Sequence, residues 1–188
     1  MTEELRRWTQ SGDDTWVGRD DDLREYGPTG TDERSVLTRY LRNNRLTLEM
    51  KCVDLDAEQL ARRSVPPSTM SLLGLVRHMA EVERGWFRRV MAGQEAPMLY
   101  CTPESPEEDW DGARADPAVV SRAWQAWRDE VAFADAYVAR TDDLATTGTR
   151  HGKTLPLRDI LVHMIEEYAR HCGHADLLRE RIDGRIGQ

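Results

Sequence analysis

Lysine is nearly absent from this chain: Lys51 and Lys153 are the only two in 188 residues. Arginine carries the rest of the positive charge and is outweighed, with 26 Lys+Arg against 34 Asp+Glu and a formal net charge of −8. No basic stripe stands out, which argues against a nucleic acid partner. Cysteine is scarce as well. Cys52, Cys101 and Cys172 are odd in number and form no CxxC pair, so no disulfide framework is expected. No apolar run approaches the length of a membrane span, and the opening MTEELRRWTQ lacks the apolar stretch of a signal peptide. The expectation is a cytoplasmic protein that does not meet the membrane. Also missing are a strand pattern, an internal repeat, a glycine-rich phosphate loop, HExxH, paired Glu-x-x-His motifs and a G-x-S-x-G elbow. These absences disfavour zincin chemistry, di-iron chemistry and an internal serine nucleophile.

What the sequence does carry is helical periodicity. Residues 1–30 are acidic and rich in Gly, Asp and Thr, and read as an N-terminal extension; residues 31–188 read as one domain. A first helix is expected from Thr31 or Asp32, with a stripe of Leu37, Leu41, Asn44, Leu48 and Cys52 at the spacing of one helix face. After a short helical turn and a proline-broken loop, Ser71 caps a second helix that ends near Gly93. Its broad apolar face is Leu72, Leu75, Val76, Met79, Val82, Trp86 and Val90. A long connection rich in proline and acidic residues follows. Asp116-Pro117 then offers a cap and a first-turn proline for a third helix, with Val120, Trp124, Trp127, Val131, Ala134 and Val138 facing inward. The stretch TDDLATTGTRHGKT reads as a loop. A fourth helix starts near Pro156, runs to about Asp183 and stops at Gly184. Four amphipathic helices with one long crossover make an all-α four-helix bundle.

At about 100° per residue, Leu157, Ile160, Leu161, Met164, Tyr168, Ala175, Leu178 and Ile182 define the inward arc of the fourth helix. His171 falls inside that arc. Glu167 lies on its edge, at i−4, where the two side chains can meet. His163 and His174 lie further round the flank. On the second helix His78 sits on the shoulder of the apolar face and Glu83 in its middle. A carboxylate in a core position needs a partner; Glu83 is read either as an acceptor for an arginine or as a catalytic base. His78, Glu167 and His171 together suggest a divalent metal site with open positions. Spacing alone leaves the other reading open, in which His171 is a satisfied core histidine and Glu167 a surface charge. Cys172, next to His171, can be a buried small hydrophobe, a fourth ligand or a nucleophile, and the first is favoured because free cysteine is commonly buried. Trp86, Trp124 and Trp127 read as core, and His151 as a loop residue.

The segments SVPPSTMSLLGLVRHMAEVERGWFRRVMAG and LRDILVHMIEEYARHCGHADLLRERIDG resemble the DinB-like superfamily, and most closely its actinobacterial subgroup of undefined function. The similarity covers roughly residues 31–184. It implies a bundle with up-down-down-up topology and a metal site from one histidine on the second helix and two ligands one turn apart on the fourth. The matching positions are His78, Glu167 and His171. Many superfamily members have histidine where this chain has Glu167, but the related mycothiol-dependent maleylpyruvate isomerase branch uses His, Glu and His. Two departures stand out: the subgroup usually has Asn at the position of Cys172, and the chain ends at Gln188 without the isomerase's additional C-terminal domain.

The resemblance implies a divalent metal (zinc or nickel), a low-molecular-weight thiol such as mycothiol or bacillithiol, a small-molecule substrate, and a homodimer, as superfamily members often form. The function so implied is a metal-dependent thiol S-transferase or thiol-dependent isomerase. Two other readings stand beside it: a metal-dependent hydrolase with Glu83 as base, and a non-catalytic metal- or ligand-binding bundle.

Overall fold

The computed structural model describes residues 22–24 and 30–185, and it is helical apart from one short hairpin. The expected extension over residues 1–30 therefore lies almost wholly outside the described residues. No helix among those described is long and apolar enough to cross a membrane.

The helix starts follow local capping chemistry. Helix α1 spans Glu33–Cys52, and the Asp32 side chain accepts a hydrogen bond from the Ser35 amide at 3.0 Å, satisfying one of the orphan donors of the first turn. The short α2, Ala57–Ala61, opens on a capping box between Asp56 and Gln59,. Ser71 caps α3, Leu72–Glu83, through the Gly74 amide at 3.1 Å. The small helix α4, Glu108–Asp111, lies inside the long connection. Asp116 and Pro117 start α5, Pro117–Arg140. The last helix, α6, spans Leu157–Asp183 and ends on Gly184 at φ 80°, a left-handed position that suits a residue without a Cβ.

Helix α1 lies along α6, α3 lies along α5, and α3 also touches α6. Leu48, Leu72, Leu75, Met79, Leu161 and Met164 are fully buried between them, each stabilising the fold by roughly 1.5–3 kcal/mol relative to exposure. A polar group is set into this core. Glu83, fully buried, accepts from Arg45 at both oxygens, at 2.8 and 2.9 Å. Tyr168 donates its hydroxyl to Glu83 at 2.8 Å and accepts from the Trp127 indole at 2.8 Å. The chain of bonds joins α1, α3, α6 and α5 in turn. Burial, beside the Glu83 charge, pushes the Tyr168 hydroxyl well above the ordinary tyrosine range, so it remains a neutral donor.

The structure corrects the sequence reading in two places. The second helix does not stay α-helical to Gly93: from Arg84 to Met91 it is a π-helical segment, in which each bond reaches one residue further and the side chains are turned relative to the α pattern. Of the three tryptophans expected in the core, Trp127 is buried, and Trp86 and Trp124 are half-buried and packed against it. Second, the stretch read as a loop before α6 holds a hairpin. Strand β1, Thr147–Arg150, pairs antiparallel with β2, Lys153–Pro156. His151 and Gly152 turn it with φ of 51° and 74°, as a two-residue hairpin turn with positive φ at both positions requires. Gly148 sits against the Val90 carbonyl, where a Cβ would collide, and this contact seats the hairpin on the π segment.

The long connection is folded back on α3 by residues that α3 turns outward. Arg77 donates to the carbonyls of Asp109 and Glu108 at 2.8 and 2.6 Å. Glu81 accepts from the Leu99 and Tyr100 amides at 2.8 and 2.9 Å. These bonds hold α4 beside His78.

Candidate metal centre

The rotation of α6 is set by Tyr168, which the Glu83 and Trp127 bonds hold inward. At about 100° per residue, Glu167 lies roughly 100° back round the axis from Tyr168 and His171 roughly 60° back. Both therefore emerge on one side of α6, the side that faces His78 on α3. His78, Glu167 and His171 each offer one ligand atom, and these atoms lie within 4.8 Å of one another. Glu167 Oε2 is 3.5 Å from His171 Nε2. The His78 and His171 rings are 4.9 Å apart between centroids.

The surroundings fix each side chain. His78 Nδ1 is 2.7 Å from Asp109 Oδ2, and its ring stacks on Trp110 with centroids 4.5 Å apart. Nε2 is then the ring nitrogen left for the centre. Burial raises the Asp109 carboxyl, but hydrogen bonds with His78 and Cys101 outweigh it and hold the group below the ordinary aspartate value. His171 is buried, and its Nδ1 lies 3.3 Å from His174 Nδ1. Desolvation, with help from His78 and His174, lowers His171 to about 4. It is neutral at pH 7, as a ligand must be. Glu167 Oε1 faces His163 Nε2 at 3.7 Å and Arg170 at 3.6 Å.

This donor set fits a divalent ion. Two borderline imidazoles and one hard carboxylate make a ligand set suited to zinc, nickel and related metals. Ligands about 2.1 Å from an ion stand at most roughly 4.2 Å apart, so 4.8 Å needs only a small inward adjustment. The Asp109–His78 contact is the carboxylate–histidine arrangement that orients metal-bound imidazoles.

Other candidates from the sequence fall elsewhere. Glu83 is outside the cluster, with its oxygens taken by Arg45 and Tyr168. Cys172 is buried on α6 with Sγ 3.5 Å from the Asn44 carbonyl, and burial pushes its thiol up to about 12; it is a small buried group rather than a ligand in this set. His163 and His174 stand beside the cluster without joining it, and His151 is exposed in the hairpin turn. Asp109 and Trp110 carry no sequence signal of their own. Nothing local links them to His78, which is 31 residues from Asp109; the one hint is an aromatic among carboxylates, EEDWDG, in an otherwise loose connection.

Beside the centre lies a cavity of about 1030 Å³, at the upper end of the size range of small-molecule sites. His78, Asp109 and Cys101 line it, together with Trp86 and Arg89 of the π segment and Arg150 of the hairpin.

Replacing Asp109 with Asn is expected to lower the affinity for zinc about 10–100-fold, because His78 loses the anionic partner that orients it. Competition with a chelating dye measures this. Unchanged affinity would show that Asp109 does not support the ligand.

A family model described as mycothiol S-transferase matches residues 36–184. No curated protein matches the chain.

Proposed function

Because the chain belongs to the mycothiol S-transferase family, we propose that it transfers a small thiol, of the mycothiol type, to an electrophilic small molecule. His78, Glu167 and His171 are the proposed ligands of a zinc or nickel ion, and α1, α3 with its π extension, α5 and α6 the four helices of an up-down-down-up bundle that begins near residue 31. The observation that carries the reading is the convergence of these ligand atoms from α3 and α6 within 4.8 Å, at the edge of a cavity large enough for substrates. His78, Glu167 and His171 would hold the ion, which when bound would supply a lowered thiol pKa and so a reactive thiolate,. The residues supply the rest. Asp109 orients His78, and burial keeps His171 neutral. In the transfer, the sulfur lone pair forms the new C–S bond, the bond from carbon to its leaving group breaks with the pair going to that group, and the thiol proton passes to solvent.

A hydrolase would need a free base near the ion. Glu83 does not fit that role, being bonded at both oxygens and enclosed; Asp109 is committed to His78. The test is conjugation of monobromobimane by the zinc-loaded protein with and without mycothiol. The expected result is turnover above the uncatalysed rate that needs the thiol and is abolished by chelator. Metal-dependent turnover indifferent to thiol would favour hydrolysis, and metal binding without chemistry a binding module.

A further inference from the structure

The cavity beside the centre carries a charge pattern that the thiol does not account for. Arg88 and Arg89 are adjacent on the π segment but are used differently. Arg88 Nε donates to Glu130 at 2.5 Å, and Arg84 holds the other Glu130 oxygen at 2.7 Å. Arg89 lines the cavity and makes no hydrogen bond or ion pair among the described residues. Arg150, on the last position of β1, also lines it. Its guanidinium lies 4.4 Å from the Trp86 ring centroid and has no carboxylate partner among the described residues. The carboxylates of the lining are held away from the two arginines: Glu81 accepts two amides of the connection through one oxygen, and Asp109 is bonded to His78. Glu95 alone is exposed. Arg89 and Arg150 are both exposed, and they line one cavity without an ion pair to its carboxylates among the described residues.

The placement also has a direction. Trp86 touches Arg150 on one contact and His163 on another, with ring centroids 4.7 Å apart. His163 Nε2 is in turn 3.7 Å from Glu167. The guanidinium of Arg150 is therefore joined to the candidate centre by a short run of ring contacts. The apolar part of the cavity lining includes Val82, Trp86, Pro97, Met98 and Pro106. We propose that Arg89 and Arg150 form an anion subsite, so that the acceptor is a small organic electrophile bearing a carboxylate, its apolar body on Trp86 and Met98 and its reacting carbon toward His78. Guanidinium groups suit this because their forked donors match a carboxylate's two oxygens. The proposal rests on the transferase reading for the word acceptor, while the subsite itself can be tested without turnover.

The experiment is calorimetric titration of the zinc-loaded full-length protein with 4-nitrobenzoate and with its neutral counterpart 4-nitrobenzamide. The carboxylate is expected to bind about tenfold more tightly, the scale of charge-assisted hydrogen bonds at a partly open site. Arg89→Gln with Arg150→Gln should remove that preference, and Arg89→Lys should retain part of it. Arg62→Gln with Arg181→Gln, both exposed and outside the cavity, removes the same two charges and should leave the preference in place. Equal affinity for the two probes in the wild type would overturn the subsite. So would a carboxylate preference that survives in the double variant, which would put the anion on the metal instead. If the probes behave as expected but no thiol is ever conjugated, the transferase reading fails and the anion subsite stands. Conjugation without any charge preference removes the subsite and leaves the transferase reading in place.

Discussion

Replacing Glu83 with Gln is expected to cost the fold about 3 kcal/mol, the lower part of the 3–5 kcal/mol range for breaking a buried pair. The cost comes from Arg45, which is 5% exposed and would lose the charge facing its Nε and one Nη. It retains Asp135 at 2.7 Å, but that carboxylate is largely in solvent, which is why the lower figure is expected. Tyr168 would face an amide instead of a carboxylate, weakening the bond that sets the rotation of α6. Urea unfolding of the apo protein measures the loss. A change below about 1 kcal/mol would show that the network contributes little. Replacing both partners with apolar residues, Arg45→Met with Glu83→Leu, should recover much of the stability, since no charge is then left buried alone.

The second large effect is on metal content. The protein should hold about one divalent ion per chain, and His171→Ala should remove most of it. His171 comes from the buried side of α6 and is neutral at pH 7, so the wild-type site needs no proton loss from it to bind. His151→Ala should leave the metal in place, because that ring sits exposed in the hairpin turn. Elemental analysis of the purified proteins gives the answer, and equal metal in wild type and the His171 variant would remove the triad from consideration.

How much of this is legible in the sequence depends on the range of the interaction. Asp32, Ser71, Asp116 with Pro117, and Gly184 act on amides or backbone angles within a few residues, and each sits where the sequence places it. The inward arc of α6 is likewise local, and it is what brings Glu167 and His171 onto one side. That Glu83 needs a cation follows from its core position; that the cation is Arg45 does not, because Arg45 sits beside the Asn44 gap in the α1 stripe and reads as surface. Asp109 is the plainest case. Its approach to His78 depends on Arg77 and Glu81 folding the connection back, and neither periodicity nor spacing encodes that. The hairpin escapes for a different reason: with strands of four residues and almost no buried side chains, it has no alternation to read. The π segment has no sequence signature at all, yet it carries Trp86 and Arg89 to the cavity.

The central claim is that His78, Glu167 and His171 hold an ion with a coordination position open to an external thiol. Cobalt substitution tests it most directly. Adding mycothiol to the cobalt-loaded protein should produce an intense near-ultraviolet thiolate-to-cobalt absorption with a stoichiometry of about one per chain. A cobalt spectrum that does not change with thiol, in protein that demonstrably retains the ion, would contradict the account.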